Sequence, residues 1–305
     1  MELPLVWIIL LNYNNFKDSI ETLESLEKIN YSNFKILVID NYSTNDSYEE
    51  LKEYSKKHKF ILLSTDSNLG FAGGNNFGLK YLKDKPGEYI LLLNNDTLVS
   101  ENFLQILVES LESNKNAALA GGTIFCHHNQ KEIWYASGRI INWRGLAVHE
   151  FKGEEKNILE LGFVRTTDFV TGCMLLIRKD VLKQVGFLDD KYFMYLEDIE
   201  FNLRVKRFGY NILYVPQSVI YHKVLGESQS KFKLYYSVRN RLLLINSGFR
   251  GIYKNIAKYY FLLIISTKIF YWAISKNDFY KVAITALKDY RNNNFGIGSG
   301  RGWLK

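Results

Sequence analysis

The sequence predicts an α/β protein: a mostly parallel, doubly wound sheet flanked by helices, with a helical C-terminal extension. Three observations predict it. Short apolar runs alternate with stretches of helical periodicity through residues 5–113, and strands separated by helices of that length pair in parallel through right-handed crossovers. Three of the runs end abruptly in Asn and Asp, as at the ligand-binding edge of such a sheet. From residue 250 onward, long aliphatic and aromatic stretches carry regularly placed cations.

The elements follow in order. LVWIILL (5–11) is the first strand. The N-terminus has no basic n-region and no small-residue cleavage site, so its apolar run reads as a core strand and not a signal peptide. SIETLESLEKI (19–29) sets Ile20, Leu23, Leu26 and Ile29 at helical spacing. FKILVID (34–40) is the second strand, a helix follows around 46–57, and FILLS (60–64) is the third strand. NLGFAGGNN (68–76) reads as a glycine-rich turn ahead of a helix over 74–83. YILLL (89–93) is the fourth strand, and 101–113 is a helix with Phe103, Leu104, Leu107 and Leu111 on one side. TIFC and WYASGRIINW read as strand and hairpin. DFVTGCMLLIRKDVL (168–182) gives a strand and a short helix. LEDIEFNLRVKRFG (196–209) is an amphipathic helix with Ile199, Leu203 and Val205 or Phe208 inward, and NILYVPQSVIYH (211–222) returns to the sheet. No internal repeat or low-complexity linker interrupts the chain.

The polar strand ends are Asn12, Tyr13 and Asn14 on the first strand, Asp40 and Asn41 on the second, and Asn94, Asn95 and Asp96 on the fourth. One such end is ordinary turn chemistry. Three on one edge predict a pocket.

Charge divides the chain. From Lys206 onward there are 11 Lys and 6 Arg against Glu227, Asp278 and Asp289, a net +14; the preceding 205 residues hold 22 basic and 29 acidic residues, a net −7. A basic half on an acidic body predicts a polyanionic partner: nucleic acid, an anionic membrane surface or a phosphate-bearing substrate. Over 250–276, Arg250, Lys254, Lys258, Lys268 and Lys276 fall within an arc of about 80° on a helical wheel. Lys268 interrupts the ~20 apolar residues that a spanning helix needs. The segment therefore reads as a helix lying in a membrane surface, ahead of a helix packed on the main domain or on a second copy in a homodimer. In NDFYKVAITALKDYR, Phe279, Val282, Ala283, Ala286, Leu287 and Tyr290 share a face. Lysines alternating with aliphatic stretches favour lipid over nucleic acid. Cys126 and Cys173 form no CxxC pair, which argues against a disulfide framework or zinc site and fits a reducing, cytoplasmic compartment.

NLGFAGGNN is neither a G-x-G-x-x-G fingerprint nor a P-loop. Together with LNYNN, VIDNYSTNDS, LLLNNDT, FVTGCMLLIRKDV, FLDDKYFMYLEDIEFNLRVKRFGY, YH and YYSVRNRLLL, in that order across residues 5–245, it makes the chain resemble the inverting family-two glycosyltransferases of the GT-A (Rossmann-like) fold, in their rhamnosyltransferase-like branch. The resemblance implies a catalytic domain over 1–228 and a basic amphipathic region over 229–305 that associates with a membrane. It implies transfer of a sugar from a pyrimidine nucleotide-diphosphate donor, dTDP-rhamnose or a UDP-sugar, to a saccharide or polyprenyl-diphosphate-linked acceptor on the cytoplasmic face of a membrane, in surface polysaccharide synthesis.

Residue by residue, Asn94, Asn95 and Asp96 match the D-x-D-like position. Only Asp96 is a carboxylate, so it is the expected ligand of a weakly held Mg²⁺ or Mn²⁺ that neutralises the diphosphate. His222 matches a position that completes the metal shell; a strand-end core histidine is its plainer role. The base is expected near Leu11, Asn12, Tyr13, Asp40 and Asn41, flanked by Asn68 and the stretch holding Gly70, Phe71, Gly73 and Asn75. Asp40 or Asn41 can accept from a pyrimidine N3–H; both can also serve as capping-turn residues. Asp198 of the Glu197-Asp198 pair matches the base that deprotonates the acceptor, its pKa raised by the like charges of Glu197 and Glu200. Thr171 and Gly172 match the acceptor side, with Cys173 a small core residue. Arg239 and Arg241 are expected to grip a phosphate. Their two-residue spacing on a helix turns one of them outward.

Two other readings compete. A catalytically dead scaffold rests on the absent first acid of D-x-D, and Glu197-Asp198 argues against it. A sugar-nucleotide pyrophosphorylase needs a Gly-rich, Arg-containing loop after the first strand, which LNYNNFKD lacks.

Overall fold

The computed structural model describes residues 2–223 and 230–303. Four parallel strands open the chain: β1 (Val6–Asn12), β2 (Phe34–Asp40), β3 (Ile61–Ser64) and β4 (Tyr89–Asn94). They are joined by α1 (Phe16–Leu26), α2 (Ser47–Ser55) and α3 (Gly70–Leu82). β1 lies between β2 and β4, with Asn12 beside Asp40 and Leu11 beside Asn94. The three polar strand ends therefore share one edge. Successive β1 side chains enter opposite cores. Val6, Ile8 and Leu10 join Leu23 of α1, and Trp7 and Ile9 join Leu79 and Leu82 of α3. Burial on both faces is why these strands read as unbroken apolar runs, each aliphatic side chain contributing about 1.5–3 kcal/mol.

Beyond β4 the sheet is mixed, which corrects the mostly parallel expectation. β5 (Thr97–Val99), α4 (Phe103–Ser113), β6 (Ala117–Cys126), β7 (Asn129–Tyr135), β8 (Gly138–Ile141), β9 (Leu146–His149), β10 (Arg165–Thr166), β11 (Met174–Arg178), α5 (Leu182–Val185), α6 (Glu197–Arg207) and β12 (Asn211–His222) follow. The sheet order is β10-β12-β6-β11-β4-β1-β2-β3, with β5 on β12 and β7 on β6; β8 and β9 form a separate ribbon. β11 inserts antiparallel between β4 and β6. The reason is local: Cys173 C=O accepts from Asn94 N–H at the carboxyl end of β4. The chain enters β11 from that edge and must run backwards, which leaves Thr171–Cys173 on the edge.

α3 begins at Gly70, four residues before the expected start at 74, so Gly70 and Gly73 are helical and not turn residues. Glycine costs a helix up to ~1 kcal/mol per residue. Here it permits close packing: a Cβ on Gly74 would sit 2.5 Å from Leu11 Cδ1. In α6, Ile199 and Val205 are buried while Phe208 is exposed.

α7 (Lys231–Gly248), α8 (Gly251–Ile274) and α9 (Phe279–Arg291) complete the chain. The expected boundary between 228 and 229 lies outside the described residues. Leu244, Ile245, Ala257 and Ala283 belong to the same core cluster as Val6 and Ile8. α8 packs through Ala257, Phe261, Ile265 and Trp272. Lys254 and Lys258 stand half-buried on that inward side. Ile252, Tyr259, Leu263, Phe270 and Ile274 point outward, each 63–70% exposed. Among the described residues, no helix is long and apolar enough to cross a membrane.

Candidate active site

The edge is built from amides and hydroxyls that lock strand ends to one another. Buried Asn12 donates from Nδ2 to Asp40 Oδ1 (2.8 Å) and accepts at Oδ1 from Ser19 of α1. Asp40 Oδ2 accepts from Ser43 N–H and Oδ1 from Ser43 Oγ, an Asx-type turn after β2. Asn95 donates to Ser19 Oγ at 2.8 Å. Ser19 and Ser43, inconspicuous in sequence, are thus the ties between three strands. Tyr13 lies exposed beside them, and the Leu11 side chain is covered by Gly74.

Asn41 holds the segment ahead of α3. Its Nδ2 donates to Asn68 Oδ1 and Gly70 C=O, and its Oδ1 accepts from Leu69 N–H. Gly70 adopts φ +70°, and a Cβ there would lie 2.3 Å from Phe193 C=O. Asn75 binds Phe71 C=O within the helix. Asn76 holds Leu188 N–H and C=O. The glycines in this stretch therefore admit other parts of the chain: Leu11 at Gly74 and Phe193 at Gly70.

Asp96 follows β4. Its Oδ1 lies 3.1 Å from His222 Nε2. Among the described residues that buried Oδ1 has no aligned hydrogen-bond donor, and His222 Nδ1 has no partner. Trp134 meets the His222 ring edge-on at 4.7 Å. A carboxylate oxygen and an imidazole nitrogen brought this close without bonding to each other fit the donor set of a divalent cation. Asn94 contributes backbone contacts, N–H to Cys173 and C=O to Thr97 Oγ1. On the β6–β7 hairpin, the ligand atoms of Cys126, His128 and Glu132 also lie within 4.8 Å of one another. Their spacing in sequence gave no sign of it, because the hairpin turn brings them together.

Asp198 stands at the start of α6, half-buried. Its Oδ2 accepts from Gly172 N–H at 2.9 Å and its Oδ1 from Ile199 N–H at 2.8 Å. Gly172 is required here, since a Cβ would lie 2.9 Å from Phe71 Cζ. Burial raises the Asp198 pKa. The expectation that Glu197 and Glu200 do so by repulsion is corrected: Glu200 pairs with Arg204 and Arg207. Glu197 is raised well above the usual carboxylate range by its own burial and by Asp198, with Oε2 buried and unpartnered. Cys173, buried, bonds through its C=O to Asn94 N–H, and its neighbour Gly172 bonds to Asp198. Burial pushes the Cys173 thiol up, and the Asp96 and Asp198 carboxylates add to that shift. Thr171 is buried beside it.

The loop that presents Asp198 is strained. Phe193, Tyr195 and Leu196 have φ of 61°, 69° and 72°. Asn240 of α7, fully buried, secures it, donating from Nδ2 to the carbonyls of Tyr192 (2.9 Å), Met194 (2.8 Å) and Tyr195 (2.9 Å). An amide inside a helix that is otherwise largely apolar at buried positions was the available sequence signal. Arg239 is also fully buried. It donates to Asn240 Oδ1, Tyr235 Oη and the carbonyls of Gly296, Lys191 and Tyr192. Every N–H is committed, so the expectation that it grips a phosphate does not hold in this arrangement. Arg241 is half-buried and donates to the carbonyls of Arg144 and Gly145. Neither arginine is turned outward, because the β8–β9 ribbon and the C-terminal segment cover both.

Comparison with known proteins bears on the family and the fold. The model of the family described as "Glycosyl transferase family 2" matches residues 7–186. The dTDP-rhamnosyl transferase RfbF of Shigella flexneri is 23% identical over 93% of this chain and 94% of its own length. The rhamnosyltransferase WbbL of Escherichia coli is 27% identical over 75% of this chain and 87% of its own. Among solved structures, the mannosyltransferase PcManGT of Pyrobaculum calidifontis, in complex with GDP-Man and Mn²⁺, has a TM-score of 0.60 at 13% identity, over 96% of this chain and 88% of that one. GalNAc-T7 with UDP, GalNAc and Mn²⁺ has a TM-score of 0.63 at 19% identity, over 78% of this chain and 47% of that one. These likenesses establish the fold.

Proposed function

This chain belongs to glycosyl transferase family 2, and from that premise we propose that it is an inverting enzyme using a pyrimidine nucleotide-diphosphate sugar. dTDP-rhamnose is favoured over a UDP-sugar, by analogy with RfbF and WbbL. One observation carries the reading: at the carboxyl edge of the sheet the Thr171–Cys173 segment joins the two acids, Gly172 N–H meeting Asp198 and Cys173 C=O meeting Asn94, two residues before Asp96. Asp96, with its unpartnered Oδ1 facing His222, is the cation ligand. Asp96 and His222 would hold Mg²⁺ or Mn²⁺, which would neutralise charge on the leaving diphosphate. Asp198 is the base. Gly172 and Ile199 amides fix its carboxylate, and burial raises its basicity. It takes the proton of the acceptor hydroxyl as that oxygen bonds to the anomeric carbon and the nucleoside diphosphate departs from the opposite side. Asn12, Asp40, Asn41 and Asn68 shape the nucleotide end.

The acceptor is a saccharide, free or polyprenyl-diphosphate-linked, in surface polysaccharide synthesis. The outward apolar face of α8, on a helix that also carries the exposed Lys268, suits a helix lying on a membrane surface at the cytoplasmic side.

The test is sugar transfer from each donor with Mn²⁺ titrated. Asp96→Ala is expected to abolish Mn²⁺-stimulated transfer, and Asp198→Asn to abolish transfer while donor-induced thermal stabilisation persists. Full transfer by Asp96→Ala would refute the metal assignment. No stabilisation of the wild type by any donor would turn the reading toward a binding scaffold.

A further inference from the structure

The β6–β7 hairpin gathers three side chains of metal-binding type. Cys126 ends β6, His128 lies in the turn, and Glu132 lies on β7. One ligand atom of each lies within 4.8 Å of the other two: a sulfur, an imidazole nitrogen and a carboxylate oxygen. His128 Nε2 and Glu132 Oε2 are 3.5 Å apart, longer than a well-formed hydrogen bond. That is the spacing of two ligands on one tetrahedral ion, where metal–ligand bonds of about 2.0–2.3 Å set neighbouring donors roughly 3.4–3.6 Å apart.

The backbone explains the convergence. Cys126 pairs with Asn129, and Phe125 with Ile133, so residues 130–132 bulge from β7 where β6 adds none. The excursion is held from its other side. Lys131 C=O accepts from Lys156 N–H, Ile133 N–H donates to Glu154 C=O, and Asn129 Nδ2 donates to Glu155 Oε1 at 2.8 Å. Cys126 is buried and Glu132 half-buried, both on this fixed backbone. His128 is exposed, with 61% of its side chain open to solvent, and adjusts by rotation about its own bonds.

The donor set selects the ion. A thiolate with an imidazole favours Zn²⁺ over the hard ions Mg²⁺ and Mn²⁺, and three protein ligands leave a fourth position to water. We propose that Cys126, His128 and Glu132 form a second cation site, for a thiophilic divalent ion of the Zn²⁺ class, that pins the β6–β7 hairpin. The thiol proton passes to solvent as the sulfur binds the ion. The hairpin borders the Asp96–His222 pair: Cys126 is in register with His222, His127 N–H donates to His222 C=O at 2.8 Å, and Trp134 of β7 meets the His222 ring. An ion on the hairpin therefore steadies one wall of the candidate active site. The assignment is independent of the chemistry proposed at Asp96 and Asp198.

The experiment titrates the full chain, stripped of metal by a chelator, with Co²⁺, whose near-ultraviolet charge-transfer band reports a thiolate ligand. The chain has two cysteines, Cys126 and Cys173, so substitution assigns the band. Wild type is expected to show a band that saturates at one Co²⁺ per chain, is bleached by Zn²⁺ and survives excess Mg²⁺. Cys126→Ser should abolish it. His128→Ala, at an exposed position that leaves the fold intact, should weaken Zn²⁺ binding at least about 10–100-fold, the loss that even outer-shell partners of a metal show. Zn²⁺ should slow amide exchange at residues 127–133 of wild type and not of His128→Ala. Asp96→Ala should keep the band, which separates this site from the cation proposed at Asp96 and His222. The proposal is overturned by absence of the band in wild type, by its survival in Cys126→Ser, by unchanged Zn²⁺ affinity in His128→Ala, or by its loss in Asp96→Ala.

Discussion

Replacing Asn240 by Leu isolates the device that holds Asp198 in place. The substitution keeps the branched shape and removes an amide whose Nδ2 serves three main-chain carbonyls at 2.8–2.9 Å. Two hydrogens cannot fully satisfy three acceptors, and the substitution also takes Asn240 Oδ1 from the buried Arg239 Nε, so the loss amounts to about three good hydrogen bonds. Leaving a buried polar group unsatisfied costs about 1–3 kcal/mol, which makes the gross loss roughly 3–9 kcal/mol. Part returns, because Phe193, Tyr195 and Leu196 are each held at positive φ at ~1–3 kcal/mol of strain per residue, and a freed loop relaxes. A net loss of about 3–5 kcal/mol is expected, with the damage concentrated in residues 193–198 and at Arg239. Urea denaturation reads the global term, and amide hydrogen exchange at Ile199 and Glu200 reads the local one. Transfer should fall further than the unfolded fraction explains, since Asp198 lies two residues beyond Leu196. A variant within about 0.5 kcal/mol of wild type, with unchanged exchange at α6, would refute the reasoning.

Glu197→Gln tests burial of an uncompensated acid. The folded-state pKa of Glu197 is raised above its ordinary 4.5, so the folded protein binds this proton more tightly. That stabilisation is complete below the ordinary value and is lost as pH rises toward the folded one. The Tm of Glu197→Gln minus that of wild type should therefore grow as pH is raised above 4.5, and a constant difference would count against it. Asp198→Asn keeps an acceptor for Gly172 N–H, so the fold should persist while transfer drops about 10²–10⁴-fold; wild-type transfer should decline on acidification at a pH above the ordinary aspartate pKa. Gly70→Ala places a Cβ 2.3 Å from Phe193 C=O at φ +70°; a loss of at least ~1–2 kcal/mol from the backbone alone is expected, with weaker donor-induced stabilisation in the same melts. Tyr259→Glu with Phe270→Glu, both outward on α8, should leave Tm within a few degrees and reduce sedimentation with anionic vesicles.

Much of the first half was legible because its physics is local. Apolar runs of five to seven residues, helical periodicity between them, and Asn or Asp at their ends suffice to place β1, β2, β4 and their shared edge, since parallel pairing follows from connection length. Asp96 and Asp198 were legible as motifs. The reversal of β11 was not, because the direction of a strand depends on where the preceding chain crosses the edge, and here a single Asn94–Cys173 bond marks that crossing. Gly70 and Gly73 looked like a turn because propensity reports the cost of a helix and not the Phe193 and Leu69 contacts that leave no room for a side chain there. The sequence by itself determined which residue types stand at the sheet edge and which helices carry cations. Only the tertiary structure decided how they are used. It committed Arg239 to carbonyls 47 to 57 residues away, committed Arg241 to the carbonyls of Arg144 and Gly145, and turned the apolar side of α8 outward. Those outcomes depend on long-range partners, and neither spacing nor propensity carries information about a partner that folding alone brings near.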